Sequence, residues 1–176
     1  TVDAVGNIII QKSSVAPNTA DIVVNGVVTT TGTGTTITVD SARDLTTSVD
    51  GTANLVGDNI DLTAVNDIDV EIDADSLFLE TTTGDISVED VLGGFSLEGF
   101  NNPGSGTLTL TTHSPMTIAV DIIQAAVINL TALESGDVDD HLIIDDNVTV
   151  QSTTGDVNLS AGDNVNVNTG ALVKSD

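Results

Sequence analysis

The chain has 176 residues, and its 27 acidic side chains against three lysines and arginines give a formal net charge of −24 at pH 7. This charge repels the phosphates of nucleic acids and anionic membrane surfaces, so we expect no nucleic acid and no direct membrane insertion. The length suits one domain with a sizeable core, but aromatic residues make up only 2% and Cys is absent. The core must therefore be built from aliphatic side chains without disulfides.

The amino-terminal part, residues 1–52, shows short strand patterns between polar segments. The strands are IIIQ from Ile8, IVV from Ile22 and ITVD from Ile37. SSVAPNTAD and TTTGTGTT are predicted loops, because Ser, Thr, Gly and Pro favour turns. We expect residues 1–52 to form a less regular first coil or cap of one β-helix domain that covers residues 1–176.

No apolar run is long enough to cross a membrane or to form the core of a signal peptide. The chain begins at Thr1 without Met, so the sequence predicts a processed or excised piece. Any export signal or anchor would lie outside it.

A repeat becomes clear from Ile68 onwards. The units IDVEIDADS, LFLETTTGD, ISVEDVLGG and FSLEGF place Glu71, Glu80, Glu89 and Glu98 nine residues apart. Each unit alternates apolar and polar residues and then enters a turn, which is typical of a short strand and a corner. Similar units, IDLT, IAVD, INLT, VTVQ, VNLS and VNVN, follow the same pattern elsewhere. Residues 53–176 are therefore predicted to form regular coils.

Every third unit gives similar triplets, as three faces of one tube would. The groups are IDL, ISV, IAV and VTV; IDV, FSL, INL and VNL; and LFL, LTL, LII and VNV. The sequence predicts an all-β fold, a single-stranded parallel β-helix (β-solenoid) with three strands per coil, about 26 to 34 residues per coil and about six coils. A two-sided β-roll and an antiparallel β-sandwich are the alternatives.

Two Gly-Asp corners are predicted in TTGDVNLSAGDNVNV, residues 153–167. Gly155 and Gly162 are expected to permit the bends, and Asp156 and Asp163 to satisfy turn backbone. The alternation that follows each corner predicts that four aliphatic side chains line the tube: Val157, Leu159, Val165 and Val167.

Two acidic clusters are candidate calcium sites, because Ca²⁺ takes several oxygen ligands in flexible geometry. The first contains Asp69, Glu71, Asp73, Asp75 and Glu80, and part of it imitates the ligand spacing of an EF-hand. Ala74 replaces the glycine that such a loop needs. The second contains Asp137, Asp139 and Asp140, beside His141. The alternative is that both clusters are solvated acidic faces.

Catalytic patterns are sparse. The chain has two histidines, no Cys and no G-x-S-x-G, so no nucleophilic constellation is visible. We predict no enzyme, no catalytic residue and no cofactor other than calcium. The T-x-T motifs in TLTLTT and TTITV occur at no fixed position of the repeat and indicate only β-propensity.

The segments TTGDISVEDV, STTGDVNLSAGDNVNVNTGAL and LVGDNIDLTAVNDIDV resemble the β-helical repeats of filamentous-haemagglutinin-like and other giant bacterial cell-surface adhesins. The resemblance covers residues 53–176. The chain lacks the N-P-N-G motif of the family's secretion domain, so it resembles an internal repeat region, and no functional residues can be assigned from the family.

The resemblance implies a non-catalytic, extracellular or cell-surface stalk or contact segment of a large bacterial protein. Its partners would be other cells, extracellular matrix or polysaccharide, and neighbouring repeat domains of the same chain. The alternative function is a polysaccharide-binding or polysaccharide-degrading β-helix that uses calcium.

Overall fold

A computed structural model describes residues 1–12, 20–136 and 139–176. This part of the chain contains strands and no helix, and hence no helix that could cross a membrane. The strands are β1 (Val2–Ala4), β2 (Ile8–Gln11), β3 (Ile22–Val24), β4 (Val28–Thr30), β5 (Thr36–Ser41), β6 (Leu45–Thr47), β7 (Leu55–Ala64), β8 (Ile68–Thr81), β9 (Ile86–Asp90), β10 (Ser96–Asn101), β11 (Leu108–Thr112), β12 (Met116–Ile118), β13 (Ile122–Gln124), β14 (Ile128–Ala132), β15 (Leu142–Ile144), β16 (Thr149–Ser152), β17 (Val157–Ala161), β18 (Val165–Val167) and β19 (Leu172–Ser175).

Strand pairing is parallel throughout the described strands. One face follows β3, β6, the first part of β8, β9, β11, β14 and β17. A second follows β2, β5, β7, β8, β10, β12, β15 and β18. The predicted all-β parallel, solenoid-like fold is confirmed and is consistent with a β-helix. An antiparallel sandwich would need antiparallel pairs.

The core consists of aliphatic ladders inside this nearly closed sheet. Ile68, Ile86, Leu108 and Ile128 stand in register on consecutive strands, and each is at most 1% exposed. Each fully buried side chain of this size contributes about 1.5–3 kcal/mol relative to an exposed one. Phe95 is also buried, but stacked aliphatic side chains fill most of the interior.

The spacing of paired residues differs from the predicted 26 to 34 residues. Ile60 lies opposite Leu77, 17 positions further on, whereas Ile128 lies opposite Val157, 29 positions further on. The short spacing arises because β7 and β8 are long strands that pair over most of their length without a long corner loop.

Uneven corners also change the predicted grouping of triplets. ISV, at residues 86–88, pairs with IDV at 68–70 and with LTL at 108–110, which were assigned to other faces. LII and VNV, at residues 142–144 and 165–167, pair as predicted. Similar triplets therefore identify strands but do not by themselves assign strands to faces.

Glycine at the corners allows neighbouring turns to approach closely. Gly155 and Gly162 lie at bends, as predicted, but neither is among the glycines with positive φ, so glycine is needed there for space and not for a left-handed backbone. A Cβ at Gly155 would lie 2.8 Å from the backbone N of Val127, and one at Gly162 would lie 2.8 Å from the Cα of Glu134. Both positions exclude larger residues because another backbone occupies the space.

β13, β16 and β19 form a separate three-stranded sheet, and both sheets are open at the carboxyl-terminal end. Among the described strands, β17, β18 and β19 each pair on one side only. Val165 and Val167 continue the ladders of Leu142 and Ile144, yet they are 42% and 48% exposed. Val157 and Leu159 are half-buried at the same end. The four side chains predicted to line the tube therefore lie at its end, where no further strand covers them.

Candidate functional site

Aspartates at the corners bind the backbone of an adjacent turn. The Oδ1 of Asp67 accepts a hydrogen bond from the N–H of Asp85 at 2.8 Å, and the Oδ1 of Asp85 accepts one from the N–H of Thr107 at 2.7 Å. Further bonds of this kind join Asp121 to Thr149, Asp146 to Thr169, and Asp163 to Asp140. Many of the acidic residues therefore have a structural role.

Glu71, a predicted calcium ligand, is buried and anchors a loop. Its carboxylate accepts hydrogen bonds from the backbone N–H groups of Asp50, Gly51 and Thr52 at 2.9–3.2 Å. The residue is 3% exposed, and a buried carboxylate needs such partners. Its oxygens are therefore already used by the loop that covers it.

The other members of the first acidic cluster are spread over different faces. Asp69 is exposed on the first face, whereas Glu80 lies on the second. Asp73 and Asp75 border a concavity of about 190 Å³ together with Asp58. The described ranges contain no group of three or more His, Cys, Asp or Glu residues that could hold a metal ion. Calcium binding stays a prediction.

The second acidic cluster surrounds a loop that is only partly described. Asp137 lies outside the described residues, and Asp139 is exposed. Asp140 is buried and accepts hydrogen bonds from the backbone N–H and the hydroxyl of Ser135 at 2.7 and 2.8 Å. These bonds lower the pKa of Asp140. Asp140 therefore holds the loop, and His141 beside it is half-buried.

A groove with mixed chemistry lies on the second face. Two concavities of about 200 and 290 Å³ share Phe100 and Asn101 as lining residues. A third concavity of about 190 Å³, which includes Asp40, shares Glu80 with the first. We name this surface the bulge groove and define it by six residues: Asp61, Phe78, Glu80, Phe100, Asn101 and Asp121.

A β-bulge shapes the bulge groove. Leu97 lies opposite Leu77, but Gly99 then lies opposite Phe78, so β10 contains one extra residue. Phe78 is 39% exposed, and a Cβ at Gly99 would lie 2.7 Å from its ring. Glycine therefore leaves room for an aromatic ring on the outer surface.

An amide and a carboxylate lie next to this ring. The Nδ2 of Asn101 donates a hydrogen bond to Oε1 of Glu80 at 3.1 Å. Burial raises the pKa of Asp61, and the Glu80 and Asp40 carboxylates raise it further. The groove therefore combines an apolar surface with hydrogen-bond donors and acceptors and with crowded negative charge.

A buried amide lies beneath the larger concavity. Asn102 is 2% exposed, and its Oδ1 accepts a hydrogen bond from the N–H of Gly104 at 3.1 Å. Its Nδ2 is buried and has no hydrogen-bond acceptor. Such a group is costly unless a partner is provided.

Sequence reasoning did not find the bulge groove. Phe78 stands between Leu77 and Leu79, which are both buried, so the period-two alternation could have indicated an outward aromatic ring. The bulge could not be found in the same way, because it depends on pairing with residues about 20 positions away.

A polar ladder crosses the first face. The Nδ2 of Asn129 donates to the hydroxyl of Thr109 at 3.3 Å, and the Nδ2 of Asn158 donates to Oδ1 of Asn129 at 2.9 Å. Thr109 of the T-x-T motif in TLTLTT is thus bonded to Asn129 on the adjacent strand, and Asn158 extends the ladder to a third strand.

Comparisons of the chain with protein-family models, with curated proteins and with solved structures find no match. Function must therefore be inferred from the geometry and chemistry of the chain itself.

Proposed function

We propose that the chain is a non-catalytic structural and adhesive β-helix segment of a large secreted or cell-surface bacterial protein. It acts as a stalk or as a surface that contacts other cells, matrix or polysaccharide. The proposed architecture is a β-helix with three strands per coil. The sequence predicts about six coils, and eight strands stack on the second face. The succession of parallel partners and the continuous aliphatic ladders support this architecture.

The open carboxyl-terminal end is the observation that carries the proposal. β17, β18 and β19 present unpaired edges, with Val165 and Val167 half-exposed beside them. Unpaired strand edges and apolar side chains at the end of a core promote association between molecules. Repeat proteins therefore cover them with a further repeat or a cap. We propose that neighbouring repeat domains of the same protein supply this cover.

The charge distribution fits a surface that is extended in solvent. Corner aspartates such as Asp67 and Asp85 hydrogen-bond the backbone, and the net charge of −24 opposes nonspecific collapse onto other copies. A bacterial and extracellular context is supported by the adhesin-like repeats, among them TTGDISVEDV.

The proposal is tested by small-angle X-ray scattering on the chain and on a tandem of two copies. Eight strands stacked at about 4.8 Å per strand give a rod about 38 Å long. If the open end accepts further coils, the tandem should have about twice that length and an unchanged cross-section. Two bodies that reorient independently would contradict the proposal.

A further inference from the structure

We propose that the bulge groove binds a neutral polysaccharide, a contact that rests on the proposed role as an extracellular contact surface. The bulge groove is the part of the described surface where an exposed aromatic ring adjoins carboxylate and amide groups. No residue of the predicted calcium clusters other than Glu80 belongs to it.

The ring provides the apolar half of the contact. Phe78 is 39% exposed and is held above Gly99 by the bulge. Phe100, in the next strand, borders the same concavity and the adjoining one. Aromatic side chains contribute large buried areas in binding sites, and the C–H face of a neutral sugar ring is an apolar surface of similar size.

Polar groups beside the ring match sugar hydroxyls. The Glu80 carboxylate is an acceptor, and the Asn101 amide offers both a donor and an acceptor. The two side chains already hydrogen-bond to each other at 3.1 Å, which restricts their orientation before a ligand arrives. A diol could bind both groups at once, with little loss of side-chain freedom.

The charge of the groove selects against acidic polymers. Asp61 and Glu80 border the smaller concavity, and Asp121 borders the larger one. Asp40 lies near enough to raise the pKa of Asp61. A uronate or sulfate group would meet like charge here, which disfavours binding. Neutral chains avoid this repulsion.

The direction of the groove favours a polymer over a single sugar. Glu80 lies opposite Asn101 on the adjacent strand, and the larger concavity continues from Asn101 to Asp121. The groove therefore runs across several strands, each separated from the next by about 4.8 Å. An extended chain could contact several turns at once.

Affinity electrophoresis in native gels tests this proposal. Gels would contain hydroxyethylcellulose, dextran, soluble starch or galactomannan as neutral probes, and polygalacturonate or alginate as acidic probes. We expect at least one neutral polymer to retard the chain and neither acidic polymer to do so. Migration that is unchanged in every neutral gel, or retardation only by an acidic polymer, overturns the proposal.

Variants locate the site. Phe78→Ala, Glu80→Gln and Asn101→Ala should each weaken retardation by about tenfold. Asp69→Asn is the control, because Asp69 is exposed on the first face, away from the groove, and the substitution removes one negative charge as Glu80→Gln does. Thermal melting would confirm that each variant is folded. Unchanged retardation of Glu80→Gln and Asn101→Ala would overturn the assignment to this groove.

The two proposals fail in different experiments. Loss of polymer binding leaves the scattering of the tandem rod unchanged, whereas a tandem that does not form a continuous rod leaves the gel result unaffected. Release of reducing sugar ends from a retarding polymer would overturn the non-catalytic role without affecting the assignment of the groove.

Discussion

The Oδ1 of Asp85 accepts a 2.7 Å hydrogen bond from the N–H of Thr107, 22 residues further along the chain. The N–H of Asp85 in turn donates to the Oδ1 of Asp67 at 2.8 Å. One aspartate thus joins its turn to the next, and its short side chain suits the small distance between adjacent strands. This relationship explains why the acids are 22 Asp and only five Glu.

Asp85→Ala should therefore destabilise the fold. Loss of an exposed, charge-assisted hydrogen bond is expected to lower the free energy of unfolding by about 0.5–2 kcal/mol. Urea denaturation would measure the change. Asp69→Ala is the control, because Asp69 is exposed and this substitution removes the same charge. Equal effects of the two variants would show that net charge, and not the hydrogen bond, matters.

Leu108→Ala should have a larger effect. Leu108 is 0% exposed and packs between Ile86 and Ile128, so its truncation leaves a cavity that costs about 2–5 kcal/mol. Leu92→Ala removes the same atoms from a side chain that is 72% exposed and should change stability by less than about 0.5 kcal/mol. A similar loss of unfolding free energy in the two variants would contradict the packing of Leu108 in the aliphatic core.

Gly155→Ala should destabilise the corner because its Cβ would lie 2.8 Å from the backbone N of Val127. Forced overpacking of this kind costs about 1–3 kcal/mol. Gly26→Ala is a matched control, since its nearest neighbour would be 3.9 Å away and its φ is not positive. A midpoint of urea unfolding that is equal for both variants would argue against close approach at Gly155.

Asp61→Asn should stabilise the fold at neutral pH. The pKa of Asp61 is raised above the ordinary value of 3.8 by burial, Glu80 and Asp40, so its ionisation costs stability as pH rises through the folded-state pKa. The melting temperature of the variant should exceed that of the native chain at pH 7, and the difference should vanish below about pH 3.8. Glu98→Gln controls for net charge, and an equal gain there would refute the local explanation.

Calcium binding at Asp73 and Asp75 predicts a rise in melting temperature when millimolar calcium replaces a chelator, because a ligand of the folded state adds stability. Sodium chloride at matched ionic strength controls for screening of the charge of −24. The double variant D73N/D75N should lose the calcium-specific part. If sodium chloride raises the melting temperature as much as calcium does, the prediction of a specific calcium site is wrong.

Local alternation predicted the strands well, because side-chain direction depends only on neighbouring residues. Leu77 and Leu79 are buried and Phe78 is exposed, as period two requires. Register could not be predicted, because it depends on corner length: Ile86 lies beside Ile68, 18 residues away, whereas Val157 lies beside Ile128, 29 residues away.

The candidate sites also depend on contacts that local alternation does not predict. The predicted grouping puts the units of Glu71 and Glu89 on different faces, whereas the two residues lie opposite each other on adjacent strands. Only Glu71 is buried, because the backbone N–H groups of Asp50, Gly51 and Thr52 bind its carboxylate. No local pattern specifies that loop contact. The bulge opposite Phe78 likewise depends on a strand that follows later in the chain.

Parallel pairing also determines how the chain responds to tension. The hydrogen bonds between β15 and β18, or between β16 and β19, run along the direction in which turns stack. A force that pulls the two ends apart along this direction acts first on the outermost pairing and peels one turn at a time. Each turn of 17 to 29 residues would release about 60–100 Å of extended chain. A parallel sheet of this kind would therefore lengthen stepwise under load and absorb work before the chain breaks.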